Sequence, residues 1–249
     1  MVGWANMKTL FISDIHLDTA GSPLTNALFQ FLDTVAPESQ SLYILGDLFE
    51  SYVGDDENSL LHQELAAKLA SLSREGISIY LLNGNRDFLV GKAFTDRCNA
   101  TLLADPTLID LYGTPTLLLH GDSLCTLDKS YQRMRRLFHN PLFQFLALKL
   151  PLRWRLKVAE SMRDNSQQMV QTKSYAMMDT VQETVMQMLK QNKVTHMIHG
   201  HTHRPATHHF ALNNNTVGER IVLGAWDKSG ACYLEATPEG TELKKFVIS

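Results

Sequence analysis

The stretch Leu42-Tyr43-Ile44-Leu45-Gly46-Asp47 sets an apolar run directly against a glycine and an aspartate. Such a run is too short for a helix and is closed by a turn-former, so it reads as a buried strand ending in a polar loop. The same grammar recurs along the chain. Thr9–Ser13 leads into Asp14-Ile15-His16, and Ile77–Leu82 into Asn83-Gly84-Asn85-Arg86-Asp87. Thr116–Leu119 leads into His120-Gly121-Asp122, and His196–Ile198 into His199-Gly200-His201-Thr202-His203. Between the first three runs, Leu24, Leu28, Phe31, Leu32 and Val35 share one helical face, as do Leu61, Leu65, Leu69 and Leu72. Strand alternating with helix predicts an α/β sheet with helices packed outside it. Ligands in such sheets bind beyond the carboxyl ends of the strands, where all five polar clusters fall.

Composition narrows the function classes. With 44% hydrophobic and 20% charged residues, the 249-residue chain is of ordinary globular type, which excludes a disordered or collagenous reading. No stretch reaches the ~18 uninterrupted apolar residues of a spanning helix. A net charge of -3 excludes a polycation for nucleic acid. Cys98, Cys125 and Cys232 are odd in number and form no CxxC pair, so neither a disulfide framework nor a structural zinc site is expected. Met1–Lys8 lacks a basic leader, and the apolar run after it stops at Asp14, short of the ~7–15 residues of an export signal. A cytoplasmic location is expected, with Met7 as an alternative start.

Residues 126–175 break the rhythm and read as helices and turns. They hold 10 of the 23 Lys and Arg but 3 of the 26 Asp and Glu, a local excess of seven positive charges. A segment both basic and greasy, with Leu142, Phe143, Phe145, Leu146, Leu148 and Leu150 crowded before Pro151, reads as a helical cap inserted into a single domain spanning 1–249. Further on, Ile221–Gly224, Ala231–Ala236 and Leu243–Ile248 read as consecutive strands that end the sheet system antiparallel.

Gathered at the strand ends are Asp14, His16, Asp47, Asn85, His120, His201 and His203. Two carboxylates, one amide and four imidazoles make a mixed nitrogen and oxygen donor set, enough for two divalent cations. The set suits manganese, iron or zinc better than calcium. Asp47 is a natural bridge, since one carboxylate can bind both ions and reduce their repulsion. Any one cluster alone is weak: a buried, hydrogen-bonded core histidine is the plain account of His120. All five together, each after a strand, outweigh that account. Cys125 has no base at nucleophile spacing, which argues against covalent catalysis.

Asp14-x-His16, Gly46-Asp47, Gly84-Asn85-Arg86-Asp87, His120 and Gly200-His201-Thr202-His203 resemble the signature of calcineurin-like metallophosphoesterases. More closely, Tyr43–Glu50, Gly84–Leu89, His120-Gly121-Asp122 and His199–Pro205 resemble the bacterial UDP-2,3-diacylglucosamine pyrophosphohydrolases of lipid A biosynthesis, over nearly all of Met7–Ser249. The resemblance implies an αββα sandwich, hydrolysis of UDP-2,3-diacylglucosamine to UMP and 2,3-diacylglucosamine 1-phosphate, and two Mn²⁺ ions. It also implies peripheral attachment to the anionic cytoplasmic face of the inner membrane, with no nucleic acid and no obligate protein partner. One ion would take Asp14, His16, Asp47 and His203; the other Asp47, Asn85, His120 and His201. Asp47, Asn85, Arg86 and His120 would be catalytic, and Asn85, Arg86, Asp128, Ser166, Lys173 and His201 would contact substrate. Val170 departs from the family where a polar contact is often found.

Arg86 stands where many members of the wider superfamily carry a histidine that protonates an alkoxide. A phosphate monoester has its second pKa near ~6 and departs without a proton, so a guanidinium fork suits a diphosphate better. The competing reading is an ion pair of Arg86 with Asp87 or Asp122. The cap would supply an apolar trough and a cationic rim, against the plainer reading of the 142–150 cluster as cap core. Arg153, Arg155 and Lys157 around Trp154 fit either a solvated surface or an interfacial helix on anionic lipid. Asp55-Asp56-Glu57 reads as a solvated loop or as the charge bias of the next helix. His62, His139, His196, His208 and His209 read as packing or surface residues, and His199 as a support for the metal motif.

Overall fold

The computed structural model describes residues 7–172, 179–213, 215–227 and 230–247, with the side chains of 164–172 outside that description. Strands β1 (Thr9–Ile12), β2 (Ser41–Leu45), β3 (Ser78–Leu82) and β4 (Thr101–Leu103) pair in parallel. A hairpin of β10 (Ala231–Thr237) and β11 (Gly240–Phe246) adds antiparallel to β1, giving the order β11-β10-β1-β2-β3-β4. The second sheet contains β5 (Thr107–Leu111), β6 (Thr114–Leu119), β7 (His196–His199), β8 (Ala206–Asn213) and β9 (Thr216–Val222), in the order β5-β6-β7-β9-β8. Its centre, β6-β7-β9, is parallel, and both edge strands are antiparallel.

The period-2 alternation of strands sorts their side chains into layers. From β1, Phe11 points between the sheets, where it joins Leu45, Leu82, Leu118, Ile198, Ile221 and Leu234 in one buried cluster. Leu10 and Ile12 point the other way and pack with Leu28 and Phe31 of α1 (Pro23–Thr34), Leu65 and Leu69 of α2 (Leu60–Arg74), and Phe94 of α3 (Lys92–Cys98). On the far side of the second sheet, Leu117, Leu119 and Met197 meet Val185 and Leu189 of α7 (Gln182–Asn192). Helix, sheet, sheet, helix: the αββα sandwich is as expected. Each fully buried Leu or Phe contributes about 1.5–3 kcal/mol, so the sandwich holds the strand ends on a stiff frame. Both predicted helices start as their sequence suggests. Ser22 accepts the Thr25 N–H ahead of Pro23, and Ser59 accepts the His62 N–H.

Three expectations need correction. Ile221 and Val222 of the Ile221–Gly224 run close β9, parallel to β7 in the second sheet, and only β10 and β11 form the antiparallel ending. An apolar run shows that a strand is buried but not which sheet buries it. Second, Asp55-Asp56-Glu57 is no mere solvated loop. Asp55 accepts the N–H groups of Gly91, Ala93 and Phe94, satisfying the first turn of α3, and Asp56 takes the Arg155 guanidinium.

The third concerns residues 126–175. The described part, residues 126–172, forms α4 (Lys129–Phe138), α5 (Pro141–Lys149) and α6 (Leu152–Thr172). Phe138 stacks on Phe88 with centroids 5.0 Å apart, and Gln144 donates to the Phe88 carbonyl. The 142–150 cluster is not a core: Leu142, Phe145, Leu146, Leu148 and Leu150 are all exposed. Arg155, by contrast, is buried, bonded to Asp56 and to the Val53 carbonyl, while Arg153 and Lys157 face solvent beside Trp154.

Candidate metal centre

The backbone at the strand ends adopts a conformation that L-residues rarely take. Asp14 (φ 55°), His16 (56°), Asp47 (51°), His201 (68°) and His203 (57°) are five of the eight described non-glycine residues with positive φ. Each such residue costs of order 1–3 kcal/mol and persists only where the surroundings fix it. Here the fixing is visible. Asp14 N–H donates to the Gly46 carbonyl, and the N–H groups of Ile15 and His16 both donate to the Asp47 carbonyl, so the turns after β1 and β2 lock together. Close approach also demands missing side chains. A Cβ on Gly84 would lie 2.2 Å from Asp47 Oδ1, and one on Gly200 would lie 2.4 Å from Asp14 Oδ2.

These turns bring six of the seven predicted donors into two adjoining groups. The ligand atoms of Asp14, His16 and His203 lie within 4.8 Å of one another, as do those of Asp47, His120 and His201. The groups adjoin at Asp47, whose Oδ2 is 3.6 Å from His120 Nε2 and 3.9 Å from His16 Nε2. The seventh, Asn85, places Oδ1 3.0 Å from His120 Nε2.

The arrangement calls for cations. His120 Nδ1 donates to the Leu45 carbonyl at 2.9 Å, and its Nε2 faces the Asn85 oxygen. His16 Nδ1 lies 3.1 Å from Glu50 Oε2, and its Nε2 faces His203 Nε2 at 3.4 Å. Convergence of such nitrogen and oxygen donors at 3.0–3.4 Å suits a shared cation. Acidity follows the same demand. Burial opposes charge on His120, but the carboxylates of Asp47, Asp14 and Asp122 outweigh it and push its pKa to about 9. Its partner His201, buried beside that charge, is lowered to about 4. Burial would raise Asp14, yet hydrogen bonding to His203 and the charges of His120 and His203 hold it well below the carboxylate range. The nitrogen and oxygen donors fit two divalent first-row ions.

Other predicted residues are placed less simply. The Arg86 side chain faces Glu50 at 3.9 Å; Asp87 spends its carboxylate on four N–H groups, and Asp122 on Tyr131 and Arg135. The ion pair with Asp87 or Asp122 is therefore not the arrangement found. Asp128 Oδ1 accepts the Tyr131 N–H and the Ser130 hydroxyl as the N-cap of α4. Ser166 lies on α6 with its side chain, like that of Val170, outside the described residues, and Lys173 lies outside them altogether. His199 is fully buried with Nδ1 on the Gly200 carbonyl, two residues before His201. All three cysteines are buried thiols outside any disulfide, and burial pushes Cys125 up to about 12, so no thiolate is available there.

Sequence reasoning missed the supports. Asp87 accepts N–H groups from Asp47, Leu48, Phe49 and Gly84, holding the turn after β2 against the one after β3. Glu50 orients His16, and Ser13 Oγ donates to Asp14 Oδ2 at 2.5 Å. Their only sequence signal is adjacency to the clusters, which does not distinguish a buttress from a loop.

Two sheets with parallel centres, sealed by helices and meeting in a paired donor set at the strand ends, define a metallophosphoesterase. The chain belongs to the calcineurin-like phosphoesterase family, which its residues 7–205 match. It is 50% identical over 225 residues to a protein of Edwardsiella ictaluri (strain 93-146) named UDP-2,3-diacylglucosamine hydrolase, covering 90% of this chain and 87% of that one. Proteins of the same name from Serratia proteamaculans (strain 568) and Hahella chejuensis (strain KCTC 2396) are each 48% identical, over 96% and 95% of this chain and 99% and 96% of their own lengths.

Proposed function

We propose that this chain is a metal-dependent hydrolase that cleaves the pyrophosphate of UDP-2,3-diacylglucosamine into UMP and 2,3-diacylglucosamine 1-phosphate. The observation that carries the reading is convergence of the full donor set on two adjoining positions, joined at Asp47, in a chain half identical to hydrolases named for that substrate. Asp14, His16, Asp47 and His203 would hold one Mn²⁺, and Asp47, Asn85, His120 and His201 the other. When bound, such a pair polarises phosphoryl oxygens and lowers the pKa of bound water from 15.7 toward ~7.

The protein's own groups set the rest. The bond formed joins a water oxygen to the α-phosphorus; the bond broken joins that phosphorus to the bridging oxygen, which leaves on the sugar 1-phosphate. The water gives its proton to solvent. Departure needs no general acid, since the monoester formed has a second pKa near ~6. Arg86 offers its guanidinium to the diphosphate charge, with Glu50 holding it at the mouth of the site. Asn85, Asp128, Ser166, Lys173 and His201 complete the substrate contacts in this reading.

Residues 126–175 act as a cap on a single domain. Their exposed Leu142, Phe145, Leu146 and Trp154, flanked by Lys149, Arg153 and Lys157, support acyl-chain handling and attachment to the anionic cytoplasmic face of the inner membrane. Among the described residues no helix is long and apolar enough to cross a membrane. Comparing turnover of acylated and deacylated UDP-glucosamine with added Mn²⁺ tests the reading. A strong preference for the acylated substrate is expected; equal rates would remove the lipid-handling role.

A further inference from the structure

From helix α4 the Arg135 guanidinium reaches two carboxylates beside the candidate metal centre. Arg135 Nη2 lies 2.7 Å from Asp105 Oδ2, and its Nε lies 2.8 Å from Asp122 Oδ2. Both carboxylates are buried, so this two-armed contact is shielded from water, where a charge-assisted bond is strongest. Each acid leads to one imidazole of the Asp47, His120 and His201 group. Asp105 Oδ1 accepts the backbone N–H of His120 at 3.3 Å. Asp122 Oδ2 also accepts the Tyr131 hydroxyl at 2.8 Å, and the Tyr131 ring lies along the His201 imidazole, centroids 6.1 Å apart and planes 28° from parallel. Gln132, next on the helix, donates to the Asp122 and Cys125 carbonyls and secures the same loop. The Asp14, His16 and His203 group is buttressed elsewhere, by Ser13 and Glu50.

We infer that Arg135 is a positioning residue for the Asp47, His120 and His201 metal position, fixing His120 through Asp105 and His201 through Asp122 and Tyr131. Seating of α4 and formation of that position are then one event, while the neighbouring position forms independently. A plain helix-to-core ion pair would stabilise the fold without discriminating between the two ions. The inference rests on the metal reading above.

Calorimetric titration of the full-length chain with Mn²⁺, read in parallel by low-temperature electron paramagnetic resonance, separates these cases. The unaltered chain is expected to take up two ions and give a spin-coupled spectrum. Arg135→Gln should retain one ion at unchanged affinity and bind the other about 10–100-fold more weakly, the usual cost of losing a ligand's outer support. At Mn²⁺ concentrations that saturate the unaltered chain, its spectrum should be that of isolated ions. Tyr131→Phe, which keeps the ring and the guanidinium, should weaken the same ion by a smaller factor. Equal affinities for both ions in Arg135→Gln, or equal loss from both, would overturn the inference. Should Arg135→Gln not fold, unchanged affinities in both Tyr131→Phe and Asp105→Asn would overturn it instead. Failure of the unaltered chain to take up a pair would overturn the metal reading itself, and this inference with it.

Discussion

The backbone N–H of Arg86 donates to Asp47 Oδ1 at 2.8 Å, and this bond turns the other Asp47 oxygen toward two imidazoles at once, His120 at 3.6 Å and His16 at 3.9 Å. One oxygen is thus pinned by the peptide while its twin is shared between two groups of donors. The loop after β3 supplies the pin, and it can come so close because residue 84 has no Cβ. In the proposed reading, the bridging carboxylate is set in place by the peptide of a residue whose side chain serves the substrate.

That division of labour has a consequence for Arg86. Its peptide N–H survives any substitution except proline, so Arg86→Ala should leave Mn²⁺ uptake unchanged while lowering kcat/KM by about 10–100-fold, the loss of a charge-assisted contact to the diphosphate. Steady-state kinetics together with metal titration check this; a parallel loss of metal would show that Arg86 acts on the centre itself.

Asp87 should matter for stability more than for substrate. Its carboxylate, 2% exposed, accepts four N–H groups, two on each oxygen. Asp87→Ala orphans them in the interior, at about 1–3 kcal/mol for each that water does not reach. A loss of about 3–5 kcal/mol in urea unfolding is expected; a loss under about 1 kcal/mol would mean that the turns hold themselves.

These two residues also mark how far the sequence could be read. The sandwich was legible because β1, β2 and β3 are buried on both faces, so their apolar runs stand out, and because Leu61, Leu65, Leu69 and Leu72 keep strict helical spacing. The edge strands of the second sheet escaped for the opposite reason: β5 is half-exposed along its length and β8 mostly exposed, with no run to see. The seven donors were legible as residue types placed after strands. Their supports were not, since Asp87 beside Arg86 looks the same whether it pairs with a side chain or with four peptides. Trough and cap core could not be told apart for the 142–150 cluster, now found exposed, because apolar composition shows a tendency to burial and not what covers it.

Acid should weaken the fold through His199. Burial lowers its pKa from 6.5 to about 3, the Arg220 and His201 charges adding to that effect and the Gly200 hydrogen bond opposing it. The folded chain refuses a proton that the unfolded chain accepts near pH 6.5, so this contribution to stability is present above that pH and lost as pH falls toward 3. The slope approaches about 1.4 kcal/mol per pH unit in that window. In metal-free protein, His199→Asn, which keeps a donor for the Gly200 carbonyl, should flatten urea midpoints between pH 4 and 6.5. An unchanged slope would assign the acid sensitivity to other groups.

The exposed face of α5 and α6 predicts salt-sensitive attachment to anionic vesicles. Replacing Phe145, Leu146 and Trp154 by serine should abolish sedimentation with such vesicles at low salt, while Arg153→Gln with Lys157→Gln should reduce it and remove its salt dependence. Retention of the triple variant on the vesicles would place the attachment elsewhere.

The central claim, that this one chain gathers two divalent ions about Asp47, is met most directly by anomalous scattering from crystals grown with Mn²⁺. Two peaks are expected a few ångströms apart, one against Asp14, His16 and His203, the other against Asn85, His120 and His201, with Asp47 touching both. A single peak, or none, at saturating Mn²⁺ with these seven side chains in place would contradict the account.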